Sequence, residues 1–208
     1  MEISILKNID HINVIHLHDI IHDKNRIYAV LEYADTDLFN FIHSIDGKIN
    51  VKMIKKLIFQ ILKGVEELHE NNVLHRDIKT QNILIKDYRV VKLADFGLAR
   101  EEGVPSNYTD EVATLWYRPL DVLMGNTKYS KSIDIWSVGC VMAELFCDEK
   151  KPLFMGKNWK DQIRKIFKVL GTPNLNDNPE LARYPNYRKA IDNLREYRPK
   201  KFSKLFNR

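Results

Sequence analysis

At 208 residues and 44% hydrophobic content, the chain can bury one substantial core and reads as one partial globular domain rather than two. Its net charge of +5 is local: residues 195–208 hold six basic residues against Glu196, leaving 27 basic and 27 acidic elsewhere. That pattern suits a solvated basic end and argues against a nucleic-acid-binding protein. Cys140 and Cys147 share one apolar stretch, as reduced packing residues do, and form neither a disulfide framework nor a metal site.

Residues 1–9 read as the end of a helix, with strand-like runs near 14–20 and 27–33. Alternation would put His16 and His18 on one strand face, but no Cys or carboxylate pattern completes a metal site there. After Tyr33 the chain turns, with a helix N-cap expected at Thr36 or Asp37. Val51 to Asn71 is the clearest helix. Val51, Ile54, Ile58, Ile61, Val65 and Leu68 recur at mostly helical spacing, and Leu57 and Leu62 widen the stripe.

Next comes His75-Arg76-Asp77-Ile78-Lys79-Thr80-Gln81-Asn82, and thirteen positions after Asn82 the run Asp95-Phe96-Gly97. Between them lies a hairpin, Ile83-Leu84-Ile85 with Val90 to Leu93, turned at Lys86-Asp87-Tyr88-Arg89. Residues 132–147 form a helix apolar on nearly every side, which should therefore be central, with Asp134 near its start. Such an Asp is either stabilised by the helix dipole or tied to a buried partner. Trp159 to Leu170 is a further helix closed by Gly171, and 174–208 reads mostly as loop.

The two central motifs resemble the catalytic loop and the metal-binding loop of a protein kinase. Four fixed residue types at fixed offsets arise by chance in roughly one chain in a thousand of this length. The surrounding runs Leu98-Ala99-Arg100, Tyr108 to Arg118 and Ser132 to Cys140 resemble the cyclin-dependent kinases, as do Glu2 to Lys7 and Asn13 to Asp19 upstream. Tyr117-Arg118-Pro119-Leu120-Asp121 is nearest the branch of the neuronal and yeast phosphate-signalling members.

The resemblance implies an α+β, kinase-like fold. Residues 1–33 would be the remnant of a small lobe lacking its first strands, and 34–208 a large lobe lacking its last helices. It implies a Ser/Thr kinase that uses ATP and Mg2+. Asp77 would orient the attacking hydroxyl, Lys79 would hold charge against the transferred phosphoryl, and Thr114 would bridge the two. Asn82 and Asp95 would ligate magnesium through oxygen. Backbone groups of Glu32 and Ala34 would bind adenine above Leu84, which serves equally as an apolar strand residue. Glu2 would pair with an ATP-binding Lys.

Thr109 fits the phosphorylated position of the activation segment, with Arg76 and Arg100 as two of its arginine partners, or serves as a plain loop hydroxyl. Arg118 falls where the family selects proline after the target residue, and Asp134 would tether the catalytic-loop backbone. Leu6, Leu17, His75 and Phe96 would form a hydrophobic spine. Protein substrates and a cyclin-like activator are the implied partners, in the cytoplasm or nucleus, with no nucleic acid and no membrane.

No glycine-rich loop precedes this region, since the first glycine is Gly47, and neither Lys7 nor Lys24 suits the ATP-binding position. The alternative is therefore a feeble or inactive kinase-like fragment that acts as a binding module.

Overall fold

The computed structural model describes residues 2–24, 26–101, 115–128, 130–192 and 196–206. They fall into two compact units, Met1–Glu102 and Gly103–Arg208.

In the first unit a short helix α1 (Glu2–Leu6) precedes an antiparallel ribbon of β1 (Leu17–Asp23) and β2 (Arg26–Leu31), which begins with an irregularity between Leu17 and Asp19. Nearly every side chain of the ribbon is exposed, including Ile27 at 59% and Leu31 at 41%. The alternation that favours strands is present, yet neither face is buried by the described residues. The short strand β3 (Thr36–Asp37) leads into α2 (Leu38–His43), capped by the Asp37 carboxylate, which accepts from the Asn40 N–H at 2.8 Å.

Helix α3 (Val51–Glu70) is the longest element. Asn50 caps it by accepting from the Lys52 N–H at 2.7 Å, and Ile54, Leu57, Ile61, Val65 and Leu68 are buried along it. Val51 and Leu62 are exposed, a correction to the expected stripe, because at about 100° per residue both fall at one edge of the buried arc rather than at its centre. Gly64 faces the Asn13 carbonyl so closely that a Cβ would come within 2.7 Å of it. This contact, with Leu93 at 3.0 Å beside it, seats α3 against the backbone at Asn13.

Strand β4 (Val73–Leu74) pairs with β7 (Arg100–Glu101), while β5 (Ile83–Lys86) and β6 (Val90–Leu93) form the expected hairpin. Strand β3 joins β5 to make a three-stranded sheet, and the Ile15 N–H donates to the Leu93 carbonyl at 2.9 Å. These pairings bring the two motif loops to one place: β4 leads into the first, β5 leaves it, and the second runs from β6 to β7.

The second unit holds α4 (Leu120–Leu123), α5 (Ser132–Phe146), α6 (Trp159–Leu170) and α7 (Tyr187–Ile191). The Tyr117 hydroxyl donates to buried Glu144 at 2.7 Å, and the Ser137 hydroxyl to the Tyr117 carbonyl at 2.9 Å, fixing α5 from one side. Its other face departs from the expectation of a wholly central helix. Ile135 and Met142 are exposed, and Trp136, Met142 and Phe146 join Leu153, Phe202 and Phe206 around an apolar cavity of about 550 Å3.

Helix α6 starts at Asn158, which accepts from the Asp161 N–H at 3.0 Å, and ends at Gly171 with φ +88°, a value glycine tolerates without a Cβ clash. The tail is more ordered than its loop-like composition suggests, with α7 and 3-10 turns at Pro179–Arg183 and Phe202–Lys204. Among the described residues, no helix is long and apolar enough to cross a membrane.

Candidate active site

The loop after β4 is built around the Asp77 carboxylate. Its Oδ2 accepts from Lys79 Nζ at 2.7 Å and from Asn82 Nδ2 at 2.8 Å, and the same amide nitrogen donates to the Asp77 carbonyl at 2.9 Å. Its Oδ1 is buried, and among the described residues no hydrogen-bond donor reaches it. A buried carboxylate oxygen without a donor costs free energy, about 1–3 kcal/mol for a polar group and more for a charged one. The ion pair on the other oxygen orients the group and leaves one acceptor uncommitted.

The second motif is fastened to the first from two sides. The Ala94 N–H donates to the Asn82 carbonyl at 3.0 Å, and the Ala94 carbonyl lies 3.0 Å from His75 Nε2. His75 Nδ1 accepts from the Asp77 N–H at 3.3 Å, so Nε2 carries the proton. The His75 ring packs on Phe96 with centroids 5.0 Å apart. Arg76 and Asp95 both hold left-handed backbone, at φ +69° and +63°. Such conformations cost on the order of 1–3 kcal/mol outside glycine and concentrate where a site dictates backbone direction. Asp95 is exposed, and its Oδ1 is 3.4 Å from the Gly97 N–H.

In the segment after β2, the Glu32 N–H donates to the His16 carbonyl at 2.9 Å. Among the described residues neither the Glu32 carbonyl nor the backbone of Ala34 meets a protein partner. Leu84, opposite Asp37 in the β3–β5 pair, is half-buried between the buried Ile83 and Ile85. The Glu32 side chain is gripped by two lysines of the hairpin, Lys86 at 2.6 Å and Lys92 at 2.7 Å. Burial alone would raise its pKa. The hydrogen bonds from Lys86 and Lys92, with the His16 N–H, outweigh that and hold it down at about 2.

A protein kinase domain model matches residues 1–203. The chain belongs to the protein kinase family. Among solved structures it is similar to the yeast RNA Pol II CTD kinase CTDK-1 complex, with 38% identity and a TM-score of 0.88, over 98% of this chain and 67% of that one. The mixed α and β kinase fold and the likeness to cyclin-dependent Ser/Thr kinases read from the motifs agree with both findings.

Within the first unit, then, this kinase brings together Asp77, Lys79, Asn82 and the strap that carries Asp95. Arg100 stands opposite Leu74 in the β4–β7 pair and binds the Ala99 carbonyl at 2.6 Å, while Arg76 is buried. Arg118 and Asp134 are buried in the second unit, and Thr109 and Thr114 lie outside the described residues. Glu2 opens α1.

Sequence reasoning missed Lys86 and Lys92 as anchors of Glu32. The signal available was Lys92 itself, a lysine inside the apolar run Val90-Val91-Lys92-Leu93-Ala94, where a charge needs a partner.

Proposed function

We propose that the chain is a Ser/Thr protein kinase of cyclin-dependent type, directed to residues followed by proline. The observation that carries this reading is the half-committed Asp77 carboxylate: Oδ2 is locked by Lys79 and Asn82, and Oδ1 is left for a hydroxyl donor. A Ser or Thr hydroxyl donating to Oδ1 is oriented for attack, and the proton passes to Asp77 as charge builds on the phosphoryl oxygens. Lys79 holds positive charge beside that position.

The residues present suit a magnesium nucleotide. Asn82 uses its amide nitrogen on Asp77, which leaves its side-chain oxygen as a hard ligand that could hold a metal, and the Asp95 carboxylate is exposed. Bound there by Asn82 and Asp95, the ion would neutralise phosphate charge. The uncommitted backbone of Glu32 and Ala34 offers one carbonyl and one amide to a planar base, with Leu84 beneath. Arg118 supports the proline preference, Thr109 with Arg76 and Arg100 supports activation by phosphorylation, and a cyclin-like activator completes the scheme. The likeness to a kinase of the RNA Pol II CTD supports a protein substrate.

The deciding measurement is magnesium-ATP binding to the purified chain by calorimetry, with Asp95→Asn as control, followed by transfer to paired Ser-Pro and Ser-Ala peptides. Saturable binding lost in the variant, with transfer to the Ser-Pro peptide, is expected. A folded chain that binds no nucleotide refutes the enzyme reading and leaves the binding module. Equal transfer to both peptides removes the proline preference alone.

A further inference from the structure

The outward face of α3 carries a charge pattern with a centre of symmetry. Lys52, Lys56, Phe59, Lys63, Glu66 and Glu70 follow one another at alternating steps of four and three, which makes one stripe along the helix. All six are exposed, Phe59 at 65%. Turned end for end about Ile61, the stripe maps onto its own complement. Lys52 falls on Glu70, Lys56 on Glu66 and Phe59 on Lys63, while on the flanks Lys55 falls on Glu67.

The same pattern is unfavourable in an isolated helix. Lysines crowd the positive end of the helix dipole and glutamates the negative end, opposite to the stabilising arrangement. Lys52 with Lys56, and Glu66 with Glu70, are like-charge pairs four residues apart, each destabilising by about 0.2–0.5 kcal/mol. Within the stripe one ion pair runs along the helix, Lys63 with Glu66.

We infer that α3 is a self-recognition surface, on which a second copy of this chain docks antiparallel about a two-fold axis near Ile61. Such an interface is isologous: each lysine block meets the partner's glutamate block, and each Phe59 ring meets a Lys63 ammonium across the axis. Antiparallel docking also opposes the two helix dipoles. The stripe is about 27 Å long and roughly 10 Å wide, so its footprint falls well short of the ~800 Å2 per partner of a standard interface. The pair belongs to the weak, salt-sensitive class, populated at high local concentration.

Sedimentation of the 208-residue chain over a concentration series, at low and high salt, tests this with three variants. One carries Lys52→Glu, Lys55→Glu and Lys56→Glu; the second carries Glu66→Lys, Glu67→Lys and Glu70→Lys; the third carries all six. Each triple variant suits the helix dipole better than the native sequence, so its melting temperature should hold or rise while self-association weakens roughly tenfold or more. Mixing the two triple variants should yield a heterodimer, and the sixfold variant should dimerise again with its polarity reversed. A native chain that stays monomeric throughout overturns the inference, as does a dimer that the charge reversals leave intact. A folded sixfold variant that fails to recover also overturns it, because complementarity would then not be the cause.

Discussion

Asp77 is held by charge on one oxygen and left open on the other, which makes it sensitive to isosteric change. Asp77→Asn keeps the shape and loses the charge that pairs with Lys79 and that, in the proposed function, orients the attacking hydroxyl. Phosphoryl transfer should fall by roughly a hundredfold or more with the circular dichroism unchanged; retained turnover would show that another group orients the hydroxyl. Glu32 makes a pH prediction. Its carboxyl sits at about 2 in the folded chain against 4.5 ordinarily, so the folded state binds the proton less readily than the unfolded chain. The stabilisation, on the order of 2–3 kcal/mol, is complete above about pH 4.5 and is lost as the pH falls toward 2. Thermal melts of the native chain and Glu32→Gln should therefore differ by a constant amount at neutral pH and converge in acid. A gap that persists at pH 2 would place the effect elsewhere. The meeting of Asp77 and Asn82 with the strap that carries Asp95 was legible because the motifs set these residues at fixed offsets along the chain. The grip on Glu32 was not, because Lys86 lies 54 positions away and only the sheet brings it near.

Among the elements, α3 was legible in position and length because its period of 3.6 is sustained over five turns, whereas its Asn50 cap was not read from the sequence. Which residues flank the buried arc was not, since Val51 and Leu62 differ from Ile54 and Leu57 only in what packs beside them. Gly64 illustrates the same point. As a helix residue it would favour Ala by about 1 kcal/mol, yet the 2.7 Å approach to the Asn13 carbonyl and the Leu93 methyl at 3.0 Å leave no room. Gly64→Ala should destabilise the chain by roughly 1–3 kcal/mol, as overpacking does, measured as a lowered urea midpoint. An unchanged or raised midpoint would mean that α3 can step back from β6 freely. Helix α5 shows the converse limit. An all-round apolar sequence says that a helix will be covered, but cannot say by what.

At the scale of the whole molecule, burial is unevenly distributed within the first of the two compact units. There the β5–β6 hairpin has four fully buried side chains, Ile83, Ile85, Val91 and Leu93, whereas the β1–β2 ribbon has none. A two-stranded ribbon without a covered face is marginal on its own. Amides of β1 and β2 should therefore exchange with solvent at least tenfold faster than those of β5 and β6. Equal protection would show that the ribbon is covered in solution. The sequence pointed to strands here because alternation and β-branched residues specify extended backbone. It was silent on exposure because burial depends on neighbours that local pattern does not encode.

The cavity beside α5 has an optical consequence. Its wall is almost entirely carbon and sulfur, and the Trp136 indole stands in it. Hydrocarbon-like solutes partition into such a space, as they do into engineered apolar voids. The chain therefore carries its own fluorophore at an oily sink: a fluorescent dye used to follow melting would light up before any unfolding, while Trp136 emission would report the sink being filled.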